Sequence, residues 1–169
     1  MKKKGFTLVE LLAVIAILGI LVIMLLPNVI TLFTSAQKNS FITEVQQIYK
    51  ATQEQFMAGT IGGTATEKTY CRVGGEKCNV DSFKQLDLQG NSSVNYYVKI
   101  DSSGTITELA VTNGTYAYHE TEAEDIKIEN IGAEGTILDS NETNDATEFA
   151  KVKEFFEDYK KPATSSSGS

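Results

Sequence analysis

The sequence predicts an α+β protein built around one long N-terminal helix, and three observations carry that prediction. Residues Leu11 to Phe33 contain no charged side chain and are almost wholly aliphatic up to Leu26. Beyond them, Phe41, Val45, Ile48, Thr52 and Phe56 recur at steps of four, three, four and four, the spacing of one face of a helix. Further on, short runs rich in β-branched and aromatic residues alternate with turn signals between Val94 and Ile131.

The first element reads as a membrane segment. At 1.5 Å per residue, Thr7 to Leu26 covers about 30 Å, the thickness of a hydrocarbon core. Lys2, Lys3 and Lys4 precede it, so the positive-inside rule places the N-terminus in the cytoplasm and everything after Thr34 outside. An ordinary secretory signal also starts basic and turns apolar, but its small-x-small cleavage site should follow the apolar run. Here Pro27, Asn28 and Val29 stand in that place, and the run continues into a helical pattern.

Within the span a single carboxylate, Glu10, stands alone. A charged residue in a transmembrane helix costs a few kcal/mol on insertion scales and usually has a partner. Thr7-x-x-Glu10 before an apolar run also matches a helix capping box, and the two roles are compatible at different stages. Gly19 and Pro27 are the other irregularities, weakening a soluble helix by about 1 and about 3 kcal/mol relative to Ala, although membrane helices tolerate both.

The run Lys4-Gly5-Phe6-Thr7-Leu8-Val9-Glu10-Leu11-Leu12 resembles the cleavage and methylation motif of type IV prepilins and pseudopilins. A basic leader ends in Gly, an aromatic follows, and a lone Glu lies four residues on. Close similarity covers about the first 35 residues. The resemblance implies a membrane-embedded aspartyl prepilin peptidase that cuts between Gly5 and Phe6 and methylates the new N-terminus at Phe6. It implies that Glu10 pairs with the Phe6 amine of a neighbouring subunit and so sets the register of a helical homopolymer. It also implies that the stretch between Gly19 and Pro27 unravels when the subunit leaves the bilayer, and that a cytoplasmic assembly ATPase and a membrane platform protein act as partners. Family members often carry a disulfide near the C-terminus; the cysteines here come earlier.

The second half of the helix continues to Ala58, with Lys38, Glu44, Gln46, Gln47, Lys50 and Glu54 as polar positions and Phe41 to Phe56 as a core face. From Phe6 to Ala58 it would measure about 80 Å. Gly59 is expected to end it, and Gly62-Gly63 to open a loop. A short helical turn is expected around Asp81 to Leu86. Cys71 and Cys78 flank the turn-like Gly74-Gly75; a bridge between them would contribute about 2.5 kcal/mol by the chain-entropy estimate, two free thiols being the alternative. With His119 they make a poor zinc set, so no metal is expected.

Strands are expected at Val94 to Ile100, Thr105 to Thr112, Thr115 to His119 and Ile126 to Ile131, with Ser102-Ser103-Gly104 and Asn113-Gly114 as hairpin turns between the first three. The result is an antiparallel sheet packed across the helix's apolar stripe. Asp145 to Lys160 reads as an amphipathic terminal helix through Phe149, Val152, Phe155, Phe156 and Tyr159, and Pro162 to Ser169 as a flexible polar tail. The division is therefore a leader at 1–5, a helix at 6–58 whose assembly half is about 6–33, a globular head at 59–161 and a tail at 162–169.

No phosphate loop, dinucleotide fingerprint, metalloprotease pair or nucleophile elbow occurs, so neither an enzyme nor a cofactor is expected. Asp139, Asn141, Thr143 and Asp145 alternate like calcium ligands but lack the EF-hand Gly and Glu, and read as a polar loop capping the next helix. Asn91-Ser92-Ser93, Asn113-Gly114-Thr115 and Asn141-Glu142-Thr143 have sequon spacing. His119 has no paired nucleophile and reads as an ordinary strand residue. The formal charge is −7; subtracting the three leader lysines from 15 basic residues leaves 12 against 22 acidic ones, a net of −10. Such a surface repels nucleic acid backbones.

These readings converge on a structural subunit, inserted in the cytoplasmic membrane as a precursor and then carried into an extracellular filament like a type IV pilus. The alternatives are a pseudopilin of a type II secretion or DNA-uptake system, and a monomeric membrane-anchored binding domain. The resemblance spans motility, adhesion, DNA uptake and secretion alike.

Overall fold

The computed structural model describes residues 7–61, 63, 66–88, 94–121, 126–133 and 135–160. The chain divides into two compact units, Met1–Gln37 and Lys38–Ser169. A single helix, α1 (Leu8–Thr60), runs through the boundary. It ends two residues later than expected. Gly59 keeps a helical backbone, because its φ is not among the positive ones, and the Thr60 hydroxyl donates to the Phe56 carbonyl at 2.7 Å.

In the second unit the order after α1 is β1 (Lys68–Val73), β2 (Glu76–Lys77), β3 (Asn95–Ile100), β4 (Ile106–Thr112), β5 (Tyr116–Glu120), a 3-10 turn (Ile128–Asn130), β6 (Leu138–Asp139) and α2 (Ala146–Glu157). The strands form one antiparallel sheet in the order β2-β1-β3-β4-β5-β6. The α+β class and the three central strands stand as expected from their alternation and turns.

The helical stripe packs on one face of this sheet. Phe41, Val45, Ile48, Thr52 and Phe56 are all buried, joined by Tyr49, and all of these but Thr52 share a core with Tyr70, Tyr96, Val98, Ile100, Ile106, Leu109, Val111 and Tyr118. Each large apolar side chain removed from water here contributes about 1.5 to 3 kcal/mol. The opposite face is covered as well. Tyr97, Ala110 and Ala117 point there together with Cys71 and Val73, under Phe149, Val152 and Phe156 of α2. Small residues at 110 and 117 leave room for the aromatic side chains above them. A sheet sandwiched between two helices is buried on both faces, which explains why β1 escapes an alternation test: Tyr70 faces α1 while Cys71 and Val73 face α2.

Two expected elements are corrected. Ile126 to Ile131 is not a strand: it holds a 3-10 turn at Ile128–Asn130, preceded by irregular chain and followed by a turn. Ile126 and Ile131 both enter the α1 core, yet five residues apart on a strand they would point to opposite faces. Gly132 then turns the chain at φ +94, where an added Cβ would stand 2.8 Å from Ile42 Cγ2. Asp81 to Leu86 does not form a helical turn either. Residues 81 and 82 make a turn, and Lys84 lies beside β1, its N–H donating to the Thr69 carbonyl at 2.9 Å and its carbonyl accepting from the Cys71 N–H at 2.8 Å. The polar backbone on the outer edge of β1 is thereby satisfied, which a local helix would have left open.

Candidate functional site

The first unit holds the residues that carry the functional expectation. Its helix begins at Leu8 with a reciprocal cap. The Thr7 N–H and hydroxyl donate to Glu10 Oε2 at 2.8 and 2.9 Å, and the Glu10 N–H donates to the Thr7 hydroxyl at 3.3 Å. This is the capping box legible in the sequence. Both bonds to the carboxylate use one oxygen, so Oε1 has no partner among the described residues. Gly5 and Phe6, the expected cleavage and methylation positions, lie outside the described residues, as does the leader.

From Leu8 to Phe33 the helix is apolar on every side and exposed on every side. Ile17 is 59% exposed and Leu21 49%. It is the one helix among the described residues long and apolar enough to cross a membrane. Gly19 sits in open space, where a Cβ would meet nothing within 4 Å. Pro27 lies inside the helix, and its ring removes one N–H from the ladder. The Thr31 hydroxyl donates to the Pro27 carbonyl at 3.0 Å and the Thr34 hydroxyl to the Ile30 carbonyl at 3.1 Å. Such back-bonds offer polar groups an internal partner where no water is present. The helix stays continuous through Gly19 and Pro27.

The remaining candidates lie in the second unit. Cys71 and Cys78 are bridged, with Cα atoms 5.5 Å apart, across a hairpin turn at Gly74-Gly75. Both glycines have positive φ, +63 and +86, as a two-residue turn with the twist of its flanking strands requires. His119 lies on β5, its ring 5.2 Å from that of Phe155, and its Nε2 is buried without a hydrogen-bond partner among the described residues. Burial lowers its pKa from the ordinary histidine value, and the nearby Glu148 charge partly opposes that.

The alternating loop before α2 closes on itself. Asp145 Oδ2 accepts from the Asp139 N–H at 2.9 Å, and Asp139 Oδ1 accepts from the Asn141 N–H at 2.8 Å. Asp145 occupies the N-cap position of α2 but makes no side-chain cap bond; its carboxylate ties down the loop, and the expected capping role is corrected accordingly. Asn113 and Asn141 stand exposed on turns, whereas Asn91 falls outside the described residues. Sequence reading missed Arg72, the only arginine in the chain. Its guanidinium carbon lies 5.7 Å from the Tyr96 ring centre, and its Nε is buried without a hydrogen-bond partner among the described residues. Its solitary occurrence in a sequence otherwise using lysine was the available signal.

Among known proteins, one family model matches: the prokaryotic N-terminal methylation motif, over residues 1–26. Neither the curated proteins nor the solved structures give a match. Residues 1–26 of this chain thus carry the prokaryotic N-terminal methylation motif.

Proposed function

We propose that this protein is the precursor of a type IV pilus-like filament subunit, matured between Gly5 and Phe6, methylated on Phe6 and polymerised through its N-terminal helix. One observation carries the reading. An all-round apolar, exposed helix bears a single carboxylate, at Glu10, whose Oε2 is held by Thr7 while Oε1 has no partner among the described residues, and the methylation motif covers this stretch. Cleavage creates an ammonium at Phe6, and Oε1 is the acceptor for that ammonium on a neighbouring copy.

Within the bilayer, lipid already solvates the span, so helix association gains little from the hydrophobic effect. Outside it, the same side chains must be buried against copies of themselves, at about 1.5 to 3 kcal/mol for each large one. Gly19 and Pro27 then mark where the helix lengthens on leaving the membrane. A peptidase, an assembly ATPase and a platform protein complete the list of partners, and the head, residues 59–161, lies on the extracytoplasmic side. The Cys71–Cys78 bridge supports that topology, since disulfides persist in oxidising compartments.

Replacing Glu10 by Ala, with the native export apparatus present, tests the pairing. Fibres sheared from cells and counted by electron microscopy should be lost or misregistered in the variant. Normal fibres from Glu10→Ala overturn it. A chain present only in trace amounts in wild-type fibres identifies a minor subunit or the short piston of a secretion or DNA-uptake system.

A further inference from the structure

On the sheet face turned away from α1, four side chains stand in one cross-strand row. Cys71 is opposite Tyr97, Tyr97 opposite Ala110, and Ala110 opposite His119. The α2 segment lies along this row. The Phe155 ring is 5.2 Å from both His119 and Tyr97, and Tyr159, just past the helix end, is 5.3 Å from Tyr97 and 5.8 Å from Phe83. Thus α2 reaches from β5 to the segment that follows the disulfide.

That segment, residues 78–84, is tied to β1 at its two ends, where the Cys78 N–H donates to the Cys71 carbonyl at 3.4 Å and Lys84 bonds to Thr69 and Cys71, and is held less closely between them. Between Cys78 and Phe83 its backbone bonds are local ones, from the Val80 N–H to the Cys78 carbonyl and from the Phe83 N–H to the Val80 carbonyl. Its links to the C-terminal end of α2 are the Asn79 N–H, which donates to the Tyr159 carbonyl at 3.2 Å, and the Phe83 ring against Tyr159. The residue that places Asn79 is its neighbour Cys78. Both sulfur-bearing residues are sealed: Cys71 is 0% and Cys78 2% exposed, in the same buried cluster as Phe149, Val152 and Phe156.

We propose that α2 and the Cys71–Cys78 bridge form a mutually locked, redox-sensitive clasp: α2 shields the bridge from thiol reductants, and the bridge holds residues 78–84 where they receive the end of α2. Opening has a defined chemistry. A dithiol's thiolate attacks one bridge sulfur, the S–S bond breaks, and a mixed disulfide forms. The second thiol of the reagent closes it to a cyclic disulfide, while Cys71 and Cys78 leave as two thiols carrying two protons and the two electrons of the reagent. Because neither sulfur is accessible, α2 has to lift before the first attack, and once the bridge is gone Asn79 is no longer positioned to hold α2 down. The core between α1 and the sheet contains neither cysteine, so the clasp opens while β3 and β4 stay folded. This device is independent of whether the chain polymerises.

The full-length oxidised chain in detergent micelles provides the test. Dithiothreitol is added, free thiols are trapped with iodoacetamide and counted by mass, and amide exchange is followed over residues 146–157 and over β3 and β4. Phe156→Ala weakens α2 docking without touching the bridge, and its reduction should be at least about tenfold faster than wild type, because reduction proceeds through the opened state. In the reduced wild type, and in the Cys71→Ser/Cys78→Ser double variant, exchange should accelerate across α2 while β3 and β4 keep their protection. Equal reduction rates for wild type and Phe156→Ala, or unchanged α2 protection after reduction, overturn the clasp. If the double variant loses β3 and β4 protection as well, the bridge supports the whole head and the clasp is equally overturned. The reduced wild type supplies that readout without any substitution.

Discussion

From Leu8 to Thr60 the backbone is one helix, yet its two ends are written for different surroundings. Between Leu8 and Phe33 apolar side chains point in every direction and none is buried; between Phe41 and Phe56 they gather on one face, where Phe41, Val45, Ile48, Tyr49 and Phe56 are buried under the sheet and Ile42 is half-buried beside them. The contrast lies in both the density and the spacing of hydrophobic residues, 21 of the 26 from Leu8 to Phe33 against 7 of the 16 from Phe41 to Phe56. A stripe specifies one partner surface, which the chain itself supplies. An all-round apolar surface specifies a medium, and the media that suit it are lipid or a bundle of equivalent helices.

The sharpest way to break this comparison is to place the same charge in each half. Val45→Asp, at 0% exposure, buries an unpaired carboxylate and should cost the head more than about 4 kcal/mol, abolishing its cooperative unfolding transition. Val14→Asp, at 53% exposure, should leave that transition where it is and instead penalise membrane insertion by about 2.5 to 3.5 kcal/mol, read from the fraction of chain that spans in microsomes. A Val14→Asp protein with a lost head transition would mean that the halves are not independent.

Gly132→Ala sharpens the second half of the comparison. The substitution combines a left-handed backbone with a 2.8 Å approach to Ile42 Cγ2, so about 1 to 3 kcal/mol of head stability should go, seen in the denaturant midpoint. Thr7→Val sharpens the first half: it removes the hydroxyl from the cap, and losing such a cap costs about 1 kcal/mol. The expected signature is faster amide exchange over the first helical turn with an unchanged head midpoint.

The smallest effect concerns His119. Burial lowers its folded-state pKa, so as pH falls the unfolded chain takes up the proton first, near the ordinary value of about 6.5. Its contribution is therefore full above that pH and declines as pH drops toward the folded-state value. Glu44, whose pKa is raised by burial, acts in the opposite direction at lower pH. The difference between wild type and His119→Gln in denaturant midpoints between pH 7.5 and 5 isolates the histidine: wild type should lose stability more steeply, and parallel curves would remove His119 from the account.

Legibility followed the physics of exposure. The membrane half, the helical stripe, the strands with Asn-Gly and Ser-Gly turns and the amphipathic α2 were readable because each has one dominant period or one strong turn residue. The strand β1 around Tyr70 was not, although the Cys71–Cys78 bridge was, because a strand covered on both faces has no polar phase to mark it. Ile126 and Ile131 misled because their odd separation matters only once a common core is known. Gly19 and Pro27 remain chemically suggestive in sequence and unremarkable in the isolated chain, as expected for residues whose proposed role belongs to an assembled state. At the candidate site Thr7 and Glu10 were legible together, since a cap is a local pattern. The docking of α2 over the Cys71 to His119 row was not, since it depends on strand register across half the chain.

The central claim is that one apolar helix serves first among lipids and then among copies of itself, with maturation at Gly5–Phe6 between the two. Mass analysis of the N-terminus of subunits recovered from sheared fibres tests it most directly. The account predicts a chain that starts at Phe6 and carries one added methyl group; assembled subunits that still begin at Met1 would contradict it.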